Sequence, residues 1–314
     1  MWYQGEGDTG GGYFGSTKES EKLDDGTVVN FRKDENGNPY NEKHTYTEYF
    51  YAMEKSFRKA FRDDELPFYV MQLSPFLSSS YETTNVYNFK IEQYEMCKNE
   101  PNTYLVSLAT DGTVIENQFF GVLDADMGST AITSQGFIHP LRKSTVGVRT
   151  ADMILANEYG IQYKEIYSHP TPIKATANGG VVTIEFDTDI YVYYGDTVLG
   201  FELYDGSKWV KATGYIEGNK VILSAEGVTN PTNVRYGCGE TLIELGDGTL
   251  IEIEEGSYGS YKENDETVGI YVNYNGQKYI IYKNSTDMIR TLDYGNITNL
   301  SGVPMVIFGM AIEN

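Results

Sequence analysis

In the first half of the chain, helix-like apolar spacings of three and four residues alternate with short unbroken apolar runs. The stretch "NEKHTYTEYFYAMEKSFRKAFRDDELP" sets Tyr46, Phe50, Met53, Phe57 and Phe61 at that spacing, which predicts an amphipathic helix with one buried stripe. "LPFYVMQL" (66–73) follows at once and, rich in aromatics and Val, reads as a buried strand. Residues 83–98 again read as helix and lead through "NEPNT" into the strand "YLVSLA". A second apolar run, "QFFGVLDAD", precedes a loop of Gly, Ser and Thr. "HPLRKSTVGVRTADMILANEYG" repeats the helical pattern, with Val146, Ile154 and Leu155 on one face and Gly160 as the stop. Helix, strand, helix, strand, helix is the rhythm of a parallel sheet covered by helices.

After Tyr159 the texture changes. "YSHPTPIKATANGG" carries two prolines and reads as a linker. From Val181 onward the period is two, in short runs: "VVTIEF", "IYVYY", "FELYD", "KWVKATGYIEGNKVILSA", "TLIELGDGTLIEIEEG" and "VGIYVNYNGQKYIIYKN". "EGNK", "GDGT" and "YNGQ" between them are hairpin signals, and the half reads as an antiparallel sandwich or jelly-roll. The fold class is therefore α/β plus all-β, with the boundary near residue 165: 1–165 as the α/β unit and 166–314 as a β-rich domain. Residues 16–40 are polar and charged and form a surface insertion, with a short hairpin at "DGTVVNFRKDENGN".

Composition narrows the partners. The chain holds 45 acidic against 24 basic residues, a net charge of −21, which argues against nucleic acid and anionic membrane surfaces. No run of 18 apolar residues occurs, so no membrane-spanning helix is expected. The 27 tyrosines suit exposed strands and sugar-contacting surfaces alike. Cys97 and Cys238 are read as free thiols, because two cysteines make neither a metal framework nor a disulfide scaffold. Asp247 in "GDGT" lacks the serial oxygen ligands of a calcium loop, and no metal or cofactor is expected.

Chemistry concentrates in two places. Of the three histidines, His44 and His169 read as structural, whereas His139 follows a small-residue loop and stands directly before a helix. In open α/β sheets ligands bind beyond the carboxyl ends of the strands, where a His suits general acid–base work. The opening "MWYQGEGDTGGGYFG" offers Gln4 as a neutral donor, Gly5 for close backbone approach and Glu6 as an acceptor able to orient an imidazole. These are two of the three parts of an acyl-transfer site. The third, an activated nucleophile, is not found: Ser74, Ser78, Ser79, Ser80, Ser134 and Ser144 lack a Gly-flanked elbow.

"WYQGE", "YTEYFYAMEKSFRKAF", "LPFYVMQLSPF", "IHPLRKSTVGVRTADMILANEYG" and "YGNITNLSGVP" occur in the order seen in sialate O-acetylesterase-like proteins, a branch of the SGNH-type carbohydrate esterases. The resemblance spans about residues 1–165, with weaker echoes at "NVRYG" and the C-terminal block. It implies a flavodoxin-like α/β/α domain that hydrolyses acetyl esters on sugars without a metal. His139 is implied as the catalytic base. Gln4 and Gly5, with Trp2 in the same block, line the oxyanion and substrate side, and Glu6 or an upstream Asp assists. Asp126 and Asp124 in "LDADMG" resemble the family's Asp-x-Gly segment and are candidate loop-mates of His139, with turn capping as the equal alternative.

The family's nucleophilic Ser lies in a Gly-Gln-Ser-Asn-like motif well before "WYQGE", and this sequence has no such motif. The expectation is therefore the C-terminal portion of an esterase, inactive alone. Its partners would be an acetylated sugar or glycan, and either a missing N-terminal segment or self-association through an open sheet edge. The different-class alternative is a carbohydrate-binding or adhesive β-module, with Trp209 as a contact, fused to a degenerate esterase remnant. The acidic, Tyr- and Asn-rich character leans towards a secreted or periplasmic bacterial glycan degrader without fixing the compartment. The stretch between "VRYGCG" and "NLSGVP" has no counterpart in the resemblance.

Overall fold

The structure, a computed structural model, describes residues 1–5, 20–22, 28–30, 45–73, 83–108, 113–115, 118–120, 132–133, 136–137, 143–162, 167–192, 197–244, 250–253, 258–282 and 290–313. Among these, the molecule is mostly β with three helices and a large antiparallel sheet. A smaller parallel layer carries the helices.

In the parallel layer Phe68–Met71 pairs with Thr103–Val106, Phe68 opposite Thr103 and Met71 opposite Val106. On the other side of Phe68–Met71, Trp2 bridges Val70 in parallel: its N–H donates to the Tyr69 carbonyl at 2.8 Å and its carbonyl accepts from Met71 at 2.9 Å. Every residue from Phe68 to Met71 is buried, the unbroken apolar run of a strand covered on both faces. The Trp2 segment and the two strands run the same way, so their carboxyl ends gather at one edge.

The helix Tyr46–Phe61 starts at a capping box, with Thr45 and Glu48 bonding each other's backbone N–H. Its buried stripe differs from the expected one. Tyr46 and Phe50 are buried, but Phe57 and Phe61 are 46% and 67% exposed and stack on each other at 6.3 Å. The inward row follows steps of four, Tyr46, Phe50, Glu54, Arg58, because Thr103 at the start of its strand donates to the buried Glu54 carboxylate. Arg58 closes this polar end, 3.1 Å from Glu54 and 3.0 Å from Glu100. The helix Thr83–Asn99 is buried on most sides, as Val86, Tyr87, Phe89, Lys90, Gln93, Tyr94, Met96 and Cys97 show. The helix Lys143–Tyr159 lays Val146, Met153 and Ile154 on Met71, Val106 and Leu108 and stops at Gly160, whose φ is +65°.

The β-rich part orders its main path as 250–253, 233–244, 201–204, 209–217, 220–225, 181–186 and 172–178, with 290–294 and 308–311 also pairing to 233–244. The stretch read as a linker is in part a strand: Pro172–Asn178 pairs with Val181–Phe186, and Ala175 is buried opposite Ile184. Pro172 opens that strand, where a missing N–H is tolerated. "YNGQ" turns with both Asn275 (φ +50°) and Gly276 (φ +74°) left-handed, as a tight two-residue hairpin requires. In the 16–40 insertion Ser20–Lys22 pairs with Val28–Asn30, so the partner strand lies upstream of the expected hairpin.

One apolar cluster joins the helices to the large sheet. Tyr94 of the central helix meets Phe308 at 6.0 Å, and Phe308 meets Phe186 at 6.3 Å and Phe201 at 6.4 Å. Cys97 and Cys238 are both buried thiols outside any disulfide, and burial pushes the Cys97 thiol well above its usual range.

Candidate functional site

The opening residues are held by elements that come later in sequence. The Trp2 indole packs edge-on to Phe50, and its Nε1–H donates to the Tyr46 hydroxyl at 2.8 Å. That hydroxyl in turn donates to the Gln4 carbonyl at 3.2 Å. Gly5 is buried with φ +147°, and a Cβ there would lie 2.3 Å from Cε1 of Phe89. Only glycine fits: the backbone turns where L residues are strained, and Phe89 of the central helix fills the side-chain space. Trp2 and Tyr46 thus fix the Gln4–Gly5 backbone at the carboxyl end of the Trp2 segment.

Beside it, the carboxyl end of Phe68–Met71 runs into Gln72 and Leu73. Leu73 N–H donates to Gln93 Oε1 at 3.0 Å. The buried Gln72 amide bonds backbone on two other segments: its Nε2 donates to the carbonyls of Lys90 (3.0 Å) and Ile307 (2.9 Å), and its Oε1 accepts from Ile307 N–H (2.9 Å). The carboxyl end of Thr103–Val106 continues to Ser107, buried, whose hydroxyl has no hydrogen-bond partner among the described residues. Arg149 Nη1 donates to the Ser107 carbonyl at 2.8 Å. This ties the "VGVR" turn of the helix that follows His139 to the same sheet edge. Gln72, Ser107 and Arg149 were not singled out from sequence as site residues. An isolated Gln or Ser carries no pattern, although Arg149 stands inside the quoted "IHP" block.

Of the expected site residues, the structure brings Trp2, Gln4 and Gly5 together. Glu6, Asp126 and His139 lie outside the described residues, as do Asp124, His44, Asp247 and the serines 74, 78, 79, 80 and 134. The hairpin Ile132–Thr133 with Gly136–Phe137 is described and ends two residues before His139. His169 is buried; burial holds its pKa below the ordinary value, while Pro170, whose carbonyl lies 3.1 Å from Nδ1, and Asp187 oppose the shift. Trp209 has Arg235 4.4 Å above its ring and Tyr204 at 5.2 Å, and Arg235 donates to Glu202 at 2.7 Å. Its ring is engaged within the sheet. Among the described residues no cluster of His, Cys, Asp and Glu is arranged to hold a metal ion, and no helix is long and apolar enough to cross a membrane.

No protein-family model matches the chain, and no curated protein matches it significantly. Among solved structures it is similar to a carbohydrate acetylesterase from Xanthomonas citri, with a TM-score of 0.54 and 21% sequence identity. The similarity covers 84% of this chain and 46% of that enzyme, so the chain spans about half the length of the structure it matches. The chain has a carbohydrate-esterase-like fold.

Proposed function

We propose that the chain is the later part of a carbohydrate esterase that removes O-acetyl groups from sugars, of the sialate O-acetylesterase-like, SGNH-type branch. One observation carries the reading: Gln4–Gly5, Gln72–Leu73 and Ser107 stand together at the carboxyl edge of two parallel strands and the Trp2 segment bridged to them, and Arg149 fastens the helix behind His139 to that edge. Ligand sites of α/β sheets form at this edge. The likeness to an acetylesterase gives it a chemistry.

In this reading a serine outside the 314 residues attacks the acetyl carbonyl while His139 takes its proton, then returns it to the departing sugar oxygen. Water, activated by the same imidazole, frees the acetyl group. The Gln4 amide and the Gly5 N–H face the tetrahedral oxyanion, and Glu6 or Asp126 orients His139. Trp2 acts through Tyr46, as a support for the Gln4 backbone.

The test is a fluorogenic acetyl ester offered to the full chain with and without an N-terminal segment bearing a Gly-Gln-Ser motif. The chain alone should be silent, and the mixture active and silenced by His139→Ala. Strong turnover by the chain alone would refute the external serine, and turnover indifferent to His139→Ala would remove the base.

A further inference from the structure

Residues 258–263, 266–274 and 277–282 form a three-stranded antiparallel sheet within the stretch that has no counterpart in the esterase resemblance. Its register puts Gly259 opposite Tyr271, Tyr261 opposite Gly269, Tyr271 opposite Ile280 and Asn273 opposite Lys278. Opposed residues share a face, so Tyr261, Tyr271, Asn273, Lys278 and Ile280 stand on one side with two glycines between them. The glycines leave room for rings to lie down: the Tyr271 hydroxyl is 2.9 Å from where a Gly259 Cβ would be. On the opposite side Val272 is fully buried, whereas Asn273 and Lys278 are exposed and Ile280 is 37% exposed. The Tyr and Lys face therefore looks outward.

Lys278 gives this face its chemistry. Its ammonium stands 4.3 Å above the Tyr271 ring and 5.7 Å from that of Tyr261. Rings beneath a cation hold it in place without neutralising it. Among the described residues Lys278 forms no ion pair, in a chain with 45 acidic and only 24 basic residues. The strand Glu266–Tyr274 also runs beside Ile132–Thr133, in the hairpin that ends two residues before His139.

We propose that this face is a subsite for a carboxylate-bearing sugar of a glycan chain. The tyrosine rings form its floor and Lys278 pairs with the carboxylate. Its service to ester cleavage rests on the esterase reading; recognition of the acidic sugar does not. A neutral glycan would leave the Lys278 cation unmatched.

The experiment titrates the full chain with a short oligogalacturonate and with a cello-oligosaccharide of equal length, by calorimetry at low and raised salt. Oligogalacturonate should bind, weaken with salt, and weaken about tenfold in Lys278→Gln, the size of a lost charge-assisted contact. Lys55→Gln, an exposed lysine on the helix Tyr46–Phe61, should change nothing, and melting curves should show both variants folded. The proposal is overturned if neither sugar binds, if both bind alike and ignore Lys278→Gln, or if Lys55→Gln weakens binding as much. Because the readout is binding and not hydrolysis, an inert esterase site leaves this outcome standing, and a failed subsite leaves the esterase assay untouched.

Discussion

Gly5 shows how much one position constrains. Gly5→Ala places a methyl 2.3 Å from Phe89 on a backbone with φ +147°, and should cost roughly 2–3 kcal/mol in urea unfolding. Phe89→Leu in the same chain should recover part of that, which separates the ring clash from the backbone strain. His169 supplies a pH effect with a definite direction. Buried and held neutral, it binds fewer protons folded than unfolded, so folding stability should fall as pH drops through histidine's ordinary range, roughly 6.5. His169→Gln should flatten that part of the urea midpoint-against-pH curve. What made Gly5 legible from sequence was its place between Gln4 and Glu6. Phe89, the residue that makes it obligatory, lies 84 positions away and carried no local signal.

At the scale of elements, the strands of the second half were legible because alternation and Asn-Gly turns are local properties: Val181–Phe186, Lys220–Ala225 and Gln277–Tyr282 stand where the period-2 pattern puts them. The helix Tyr46–Phe61 was legible in extent but not in orientation. Apolar spacing nominated Phe57 and Phe61 for burial, whereas a hydroxyl on Thr103, in another element, draws Glu54 inward instead. The cost of that exchange can be measured. Burial raises the Glu54 carboxyl above its usual range, while Thr103 and Arg58 pull it back. Arg58→Ala removes the cation that serves Glu54, Glu100 and the carbonyls of Leu66 and Pro101, and should destabilise by about 2–4 kcal/mol at neutral pH. A carboxyl with a raised folded pKa takes up protons on folding, so the variant should regain stability on acidification through the carboxylate range, about pH 4–5. A loss independent of pH would mean that Arg58 acts through packing alone.

For the whole molecule the informative residue is Gln72. Its side chain accepts from and donates to Ile307 across 235 positions while also holding Lys90. Period and composition read the two halves separately, because neither measure senses pairing at such a separation; the shared cluster around Phe308 was equally hidden. Gln72→Leu leaves the N–H and carbonyl of Ile307 and the carbonyl of Lys90 without their amide, all deep inside. It should lower stability by roughly 2–4 kcal/mol and unfold helices and strands in one transition, seen as coincident circular-dichroism and tyrosine-fluorescence curves. Separate transitions would show the halves to be independent. This clasp also sets a timetable for biogenesis. The layer built around Phe68–Met71 gains its Gln72–Ile307 hydrogen bonds only after residue 307 has been translated. Until then this nascent layer waits with Tyr94 and the end of its sheet uncovered, an interval in which a chaperone has most to offer.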